Sequence, residues 1–186
     1  EARVRFPLSE LPDRYDALLF LQSETSEPVF SEHRRALTTE AAKHIADLYT
    51  SLADRAAAPI DEIQRFTMQL VWCLFAEDLG MLDGYPLQST VDALLKDPNA
   101  DSARDIGYLF SLLNQKGNHN RQGRYAGTHY VNGDLFAKPA AVFMNHEELL
   151  HLRGAAEFDW RTVDPTIFGS LMEGVLGEER RERLGA

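Results

Sequence analysis

Apolar residues recur at three- and four-residue steps along most of this chain, and short breaks separate one such segment from the next. This spacing places the apolar side chains on one face of an α-helix, whereas alternation at every second residue would indicate a strand. The segment between Pro59 and Gly80 is predicted to form the central helix. Its apolar positions are Ile63, Phe66, Leu70, Val71, Leu74 and Phe75. We therefore predict a mainly α fold, an irregular multi-helix bundle.

Capping residues predict where several of the helices begin. Thr38 or Thr39 is expected to cap a helix that runs to about Arg55. For the central helix, Asp61 is expected to be the cap, with Gln64 reaching back to the backbone as in a capping box. Breaks such as Asp-Pro-Asn then predict two shorter helices, near residues 87–96 and 101–114.

The last third of the chain is predicted to contain a turn and two more helices. The Asn132-Gly133 dipeptide favours positive φ, which predicts one small β-turn or hairpin near residues 129–136. Asn145 with Glu148 forms a capping box for a short helix that Gly154 ends. Asp164 as cap and Pro165 at the first helical position predict a final helix. Its apolar stripe would be Ile167, Phe168, Leu171, Met172 and Val175.

Three segments, in order along the chain, resemble one protein family. They are LVWCLFAEDLGML at 70–82, YVNGDLF at 130–136, and PTIFGSLMEGVL at 165–176 with RRERLGA downstream. Together they resemble the region that leads into the methyltransferase domain of large restriction-modification enzymes of the MmeI type. Related adenine-specific DNA methyltransferases of phage-defence systems share this region. The resemblance covers most of residues 60–186.

This resemblance implies a helical spacer without chemistry of its own, between a nuclease or recognition portion and an S-adenosylmethionine-dependent adenine DNA methyltransferase domain. We expect residues 1–36 to be an N-terminal connecting segment and residues 37–186 to be the spacer, excised from a larger bacterial protein. The implied partners are the flanking domains of the same polypeptide, and DNA through the parent protein. S-adenosylmethionine would serve the parent, with Mg²⁺ as well if the parent cleaves DNA, and no cofactor is expected here.

Charge argues against tight DNA binding by this part alone. Lys and Arg number 19 against 29 Asp and Glu, which gives a net charge of -10. Because DNA affinity comes largely from neutralising phosphates with clustered cations, such an average repels DNA. The loop at 117–130 nevertheless carries Arg121 and Arg124, which could reach phosphates. The alternative is a solvated connection.

The single cysteine and the absence of a long apolar run indicate the compartment. Cys73 lies within an apolar helical run and is predicted to be a buried small hydrophobe, since an internal disulfide is impossible with one cysteine. No stretch approaches the roughly eighteen consecutive apolar residues of a membrane span. We therefore expect a cytoplasmic protein without a membrane partner.

Glu77 and Asp78 are the most tempting catalytic residues. They are adjacent carboxylates at the C-terminal end of the central helix, where the helix dipole disfavours negative charge. Neighbours on a helix point about 100° apart, so the two cannot readily share one metal ion or one proton. We favour a structural interpretation, in which one of them accepts hydrogen bonds from an Arg or from backbone amides of a nearby turn.

No catalytic, cofactor-binding or metal-binding residue is predicted in this chain. The sequence Glu40-Ala41-Ala42-Lys43 has the wrong spacing for a restriction nuclease, and Asp97-Pro98 lacks the residues that continue an adenine methyltransferase loop. Residues with a structural or interdomain role are predicted instead. They are Glu77, Asp78, Tyr130, Asn132, Phe136, Trp160 and Phe168.

The role of the C-terminal part is predicted more specifically, and two other functions stay open. Trp160, Ile167, Phe168, Leu171 and the segment 180–184 would lock the spacer to the following domain. One alternative is a standalone acidic helical adaptor that binds a protein partner. The other is a small-molecule hydrolase that uses Glu77 or Asp78 in an open cleft.

Overall fold

The structure of the chain is a computed structural model that describes residues 30–117, 121–131, 133–166, 169 and 173, with side chains from residue 36 onward. Five α-helices lie in these ranges, and no strand does. The helices are α1 Phe30–Asp54, α2 Ile60–Asp78, α3 Pro86–Lys96, α4 Ser102–Leu113 and α5 His146–Ala155, with a 3₁₀ turn at Gly123–Tyr125. The prediction of a mainly α fold is confirmed. Within the described residues, no helix is long and apolar enough to cross a membrane.

The helix α2 supplies the centre of the core, as its apolar stripe predicted. Ile63, Phe66 and Leu70 are fully buried. The ring of Phe66 meets that of Phe110 from α4 edge to face, with centroids 5.8 Å apart. Each buried side chain of this size contributes roughly 1.5–3 kcal/mol of transfer free energy. Around α2, α1 packs against α5, and α3 contacts α2, α4 and α5.

The predicted start of α1 is wrong. The helix begins at Phe30, so Thr38 and Thr39 lie within it and cannot cap it. Thr38 is buried, and its hydroxyl accepts a hydrogen bond from the backbone amide of Asp164 at 3.0 Å. The apolar pattern marks where α1 becomes buried, whereas backbone hydrogen bonding starts two turns earlier. The helix therefore crosses residue 37, where the sequence placed the boundary of the spacer, and residues 1–29 lie outside the described part.

The predicted cap of α2 is also wrong. Pro59 occupies the N-cap position with φ −54° and ψ 142°, and no side chain caps this helix. Asp61 lies in the first turn, where its charge still faces the positive end of the helix dipole. The Gln64 amide points to the Tyr49 hydroxyl, 3.5 Å away, so it makes no capping box. Proline suits a helix start because its fixed φ and missing N–H cost nothing there.

The predicted positions of α3 and α4 and the start of α5 are confirmed. The capping box of α5 is complete: the Asn145 side chain accepts from the Glu148 amide at 3.0 Å, and the Asn145 amide donates to the Glu148 carboxylate at 2.7 Å. The predicted end of α5 is wrong, since Gly154 lies inside the helix. A Cβ at Gly154 would lie 2.7 Å from Cε1 of His44, so this glycine permits a close approach to α1 rather than a helix end.

The described part of segment 129–136 contains a turn, but this turn lies at residues 135–136 and not at the predicted Asn-Gly dipeptide. Asn132 itself lies outside the described residues. The Val131 amide donates to the Leu113 carbonyl at 2.8 Å, and the Ala137 amide donates to the Asp134 carbonyl at 3.1 Å, which closes a turn. Because no described residue of this segment is in a strand, the hairpin alternative is wrong there.

The start of the final helix is confirmed. The Asp164 carboxylate accepts from the Thr166 amide at 2.9 Å, and Pro165 takes helical conformation. The predicted apolar stripe of this helix lies outside the described residues, as does the segment 180–184.

Candidate functional site

Glu77 is buried where α2 meets the start of α3. Glu77 is only 3% exposed, and one of its carboxylate oxygens accepts a hydrogen bond from the Leu87 amide in the first turn of α3. A helix N-terminus offers free amides and the positive end of the dipole, so it suits a carboxylate. The second oxygen, Oε2, is buried without a hydrogen-bond partner among the described residues.

This environment changes the protonation of Glu77. Burial raises its pKa to about 7, because the loss of water outweighs the backbone hydrogen bonds of Leu87 and Gln88, and the neighbouring charge of Asp78 adds to the rise. The same residue affects Cys73, which is buried as predicted. Burial raises the pKa of the Cys73 thiol well above its ordinary value, and the charge of Glu77 adds to this effect. The thiol is therefore a packing group.

Asp78 points to a different part of the molecule. Its carboxylate accepts from the Trp160 backbone amide at 2.7 Å. The Trp160 indole is buried, donates to the Ala155 carbonyl at 2.9 Å, and meets the Phe75 ring edge to face at 4.8 Å. Trp160 thus packs within the core of this domain. The two neighbouring carboxylates therefore bind two different segments of the chain and do not point to a common ligand.

The described residues near these carboxylates form no cluster of metal ligands. In the described ranges, no three or more His, Cys, Asp or Glu side chains are arranged so that they could hold a metal ion. Each carboxylate of the pair instead accepts from a backbone amide, the type of contact that the structural interpretation requires.

A partly buried ion pair connects Arg55, directly after α1, to α5, and the sequence did not indicate it. Glu148 is fully buried, and its two oxygens accept from Arg55 at 2.7 and 2.9 Å, while the Ser51 hydroxyl donates at 3.0 Å. Burial alone would raise the pKa of Glu148, but the hydrogen bonds from Arg55, Asn145 and Ser51 lower it below its ordinary value. The sequence predicted only the local role of Glu148 in the capping box, and not its contact with Arg55, which lies 93 positions away.

Gln69, in the middle of α2, makes a second set of long-range contacts that the sequence did not indicate. Its buried amide donates to the carbonyls of Leu135 at 2.6 Å and Lys138 at 3.0 Å, and its oxygen accepts from the Ala140 amide at 3.0 Å. These bonds hold the segment 135–140 onto α2. Phe136 in this segment is fully buried, with its ring 5.2 Å from that of Trp72.

The two arginines proposed to contact DNA have different surroundings. The Arg121 guanidinium donates to the carbonyls of Leu112 at 2.8 Å and Gln115 at 3.1 Å, and also to that of Thr128. It therefore closes the C-terminal end of α4, where carbonyls lack helical partners. Arg124 is exposed, and its guanidinium lies 5.6 Å from the ring centroid of Tyr125. The DNA contact stays a prediction for both.

The Tyr125 and Tyr130 rings complete this surface. The Tyr125 hydroxyl donates to the Asp105 carbonyl at 3.3 Å, and its ring meets that of exposed Tyr108 edge to face at 5.2 Å. Tyr130 is half-buried, with the Lys116 ammonium 5.3 Å from its ring centroid. Phe168, like Asn132, lies outside the described residues.

Comparison with known proteins agrees with the helical architecture. Residues 61–136 match the family model described as the MmeI helicase spacer domain. The chain is 28% identical to DNA methyltransferase A of Bacillus subtilis (strain 168) over 182 residues. This aligned region covers 95% of this chain and 20% of that protein. The structure of the type IIL restriction-modification enzyme MmeI in complex with DNA matches with a TM-score of 0.60 and 26% identity, over 73% of this chain and 18% of the MmeI chain.

The fold and its internal contacts therefore define a helical domain that is similar to the MmeI helicase spacer domain. Residues 61–136, from the first turn of α2 to the segment held by Gln69, match the model of the MmeI helicase spacer domain, so the resemblance indicated by the sequence is confirmed. The chain spans 20% of the length of the curated relative that it matches.

Proposed function

We propose that this domain is a non-catalytic brace within a larger bacterial adenine DNA methyltransferase of the restriction-modification type. It holds the nuclease or recognition portion at a fixed distance and orientation from the methyltransferase portion. The cofactor S-adenosylmethionine belongs to that methyltransferase portion. Residues 37–186 are the proposed extent of the spacer, with residues 1–36 as its connection to the preceding part.

The use of the buried polar side chains carries this proposal. Gln69, Glu77 and Glu148 are buried, and each binds backbone or a cation of another segment of the same chain. Hydrogen bonds to charged groups contribute roughly 1.5–3 kcal/mol each, and they fix direction as well as distance. Such contacts stiffen the helical assembly, which is the property that a spacer needs.

A direct test replaces the two candidate catalytic carboxylates in the full-length parent protein. We expect Glu77→Gln and Asp78→Asn, each alone, to leave the methyl-transfer rate within about twofold, because neither group contacts the reacting atoms. Loss of a general acid or base typically costs about 10²–10⁴-fold. A fall of that size in a variant whose circular dichroism shows that the helical fold is intact would overturn the non-catalytic assignment.

We also propose that Arg124 contacts a DNA phosphate in the parent protein, while Arg121 holds the loop in place. The related MmeI structure is a complex with DNA, and the exposed guanidinium of Arg124 is steadied by the Tyr125 ring. The Tyr125 hydroxyl in turn binds the backbone of α4. Because the net charge of the chain is -10, this contact adds to binding by other parts of the parent and does not replace it.

The salt dependence of DNA affinity tests this contact. Loss of one phosphate contact reduces the slope of log affinity against log salt by about one. We expect this for Arg124→Ala in the full-length protein. The matched control is Arg104→Ala, since Arg104 is also exposed but pairs with Asp105 at 2.9 Å. If Arg124→Ala, Arg104→Ala and the unchanged protein had the same slope of log affinity against log salt, the proposed contact between Arg124 and DNA would be refuted.

A further inference from the structure

An open apolar groove of about 270 Å³ runs along the outer face of α2. Its lining consists of four side chains of α2, among them Met68 and Trp72, and of Leu79 directly after the helix, together with Leu135 and Pro165. All the described residues that line it are apolar. Met68 is 45% exposed and Leu79 is 57% exposed, so the rim of the groove presents apolar surface to water. An apolar groove that is open to water offers a surface against which another apolar segment can pack.

We propose that the groove is covered by the apolar side of segment 167–176 of this same chain. Pro165 lines the groove, so the polypeptide already touches it at the point where this segment begins. The local concentration of a segment only two residues away is high, and closing so short a connection costs little entropy.

The phase of the helix that starts at Pro165 supports this occupant. Four of its positions are described, namely 165, 166, 169 and 173, and all four are exposed. At about 100° per residue these positions fall within an arc of about 100°. The sequence places Ile167, Phe168, Leu171, Met172 and Val175 outside that arc. A helix with one solvent-facing side and one apolar side requires an apolar surface for the second side.

The first experiment measures whether the groove is covered in the full chain. Met68 and Leu150 are both near half exposed in the interior of a helix, but only Met68 lines the groove. We expect Met68→Gln to raise the unfolding equilibrium constant in urea by about tenfold, as loss of a covered apolar side chain does, and Leu150→Gln to change it little. Equal effects of the two variants would mean an open groove and would overturn the proposal.

The second experiment identifies the occupant. If segment 167–176 covers the groove, the effects of Met68→Gln and Leu171→Gln are less than additive, because either change removes the same contact. Glu173→Gln, at a described and exposed position of the same helix, is the control and should be additive with Met68→Gln. Additivity for both pairs would overturn the proposal. So would a dimer in sedimentation equilibrium that Met68→Gln dissociates, since a second copy would then be the occupant.

Discussion

Two buried glutamates in this domain have opposite surroundings. Glu148 receives hydrogen bonds from a guanidinium, a hydroxyl and a backbone amide, and its pKa lies below the ordinary value although it is fully buried. Glu77 has no cation, keeps one oxygen without a partner among the described residues, and has a pKa of about 7. Both residues are almost inaccessible to solvent, and the hydrogen bonds from Arg55, Asn145 and Ser51 give Glu148 the compensation that Glu77 lacks.

The two glutamates show two different ways of holding helices together, namely an ion pair and a backbone hydrogen bond to a carboxylate. The contact between Arg55 and Glu148 stabilises the packing of α1 on α5 as long as both groups are charged. The contact between Glu77 and α3 keeps its backbone hydrogen bond but leaves a carboxylate that is costly to ionise. The junction of α2 and α3 is therefore sensitive to pH near neutrality, whereas the junction of α1 and α5 is sensitive only to acid.

The largest expected loss of stability comes from removing Arg55, the cation that binds Glu148. Arg55→Ala leaves Glu148 buried without its counter-ion, which costs roughly 3 kcal/mol of unfolding free energy. The matched control is Arg161→Ala, whose ion pair with Asp159 lies at the surface and should contribute little to stability. Urea denaturation at pH 7 measures both. Equal losses would show that Glu148 is solvated and that the contrast with Glu77 does not hold.

The next effect is the pH dependence that Glu77 confers. Its pKa is about 7 in the folded chain against 4.5 as the ordinary value, so the unfolded chain loses this proton first as pH rises. Stability therefore falls between pH 4.5 and about 7, by about 3 kcal/mol in total. Glu77→Gln removes the ionisation and should abolish this fall, which makes the variant more stable than the unchanged chain at pH 8.

Glu148 provides the control with the opposite sign. Because its folded pKa is lowered, its contribution is complete above the ordinary value of 4.5 and disappears as pH falls through the folded pKa. Glu148→Gln should therefore lose stability at pH 7 and approach the unchanged chain in acid. If the two variants gave pH profiles of the same sign, the proposed difference between the two sites would be refuted.

The sequence predicted the helices better than it predicted these contacts. Periodicity located α2, α3 and α4, because a buried stripe requires a helical repeat. It placed the start of α1 at Thr38 because the pattern of burial begins later than the helix itself. The capping box at Asn145 and Glu148 was found because its two bonds span three residues. The bond from Glu148 to Arg55 was not found, since it spans 93 positions and depends on the packing of α1 against α5.

The candidate site shows the same limit. Helix geometry argued against a shared ligand for Glu77 and Asp78, but the sequence did not indicate which segment each carboxylate would bind. Gln69 was not singled out, because a polar residue within an apolar helix gives no local signal of three long-range hydrogen bonds. Arg121 was grouped with Arg124 by charge alone, whereas the carbonyl groups around Arg121 become visible only in the folded chain.

The smallest effect in this series is expected at Asp78, which tests whether adjacency to Glu77 matters. Asp78 is half-buried and reaches solvent, and its carboxylate accepts from the Trp160 amide at 2.7 Å. Asp78→Asn keeps an acceptor but removes the charge, so we expect a loss of about 1 kcal/mol in urea denaturation at pH 8. Its charge also raises the pKa of Glu77, so the pH at which stability falls should move downward in this variant. An unchanged pH profile would mean that burial alone sets the protonation of Glu77.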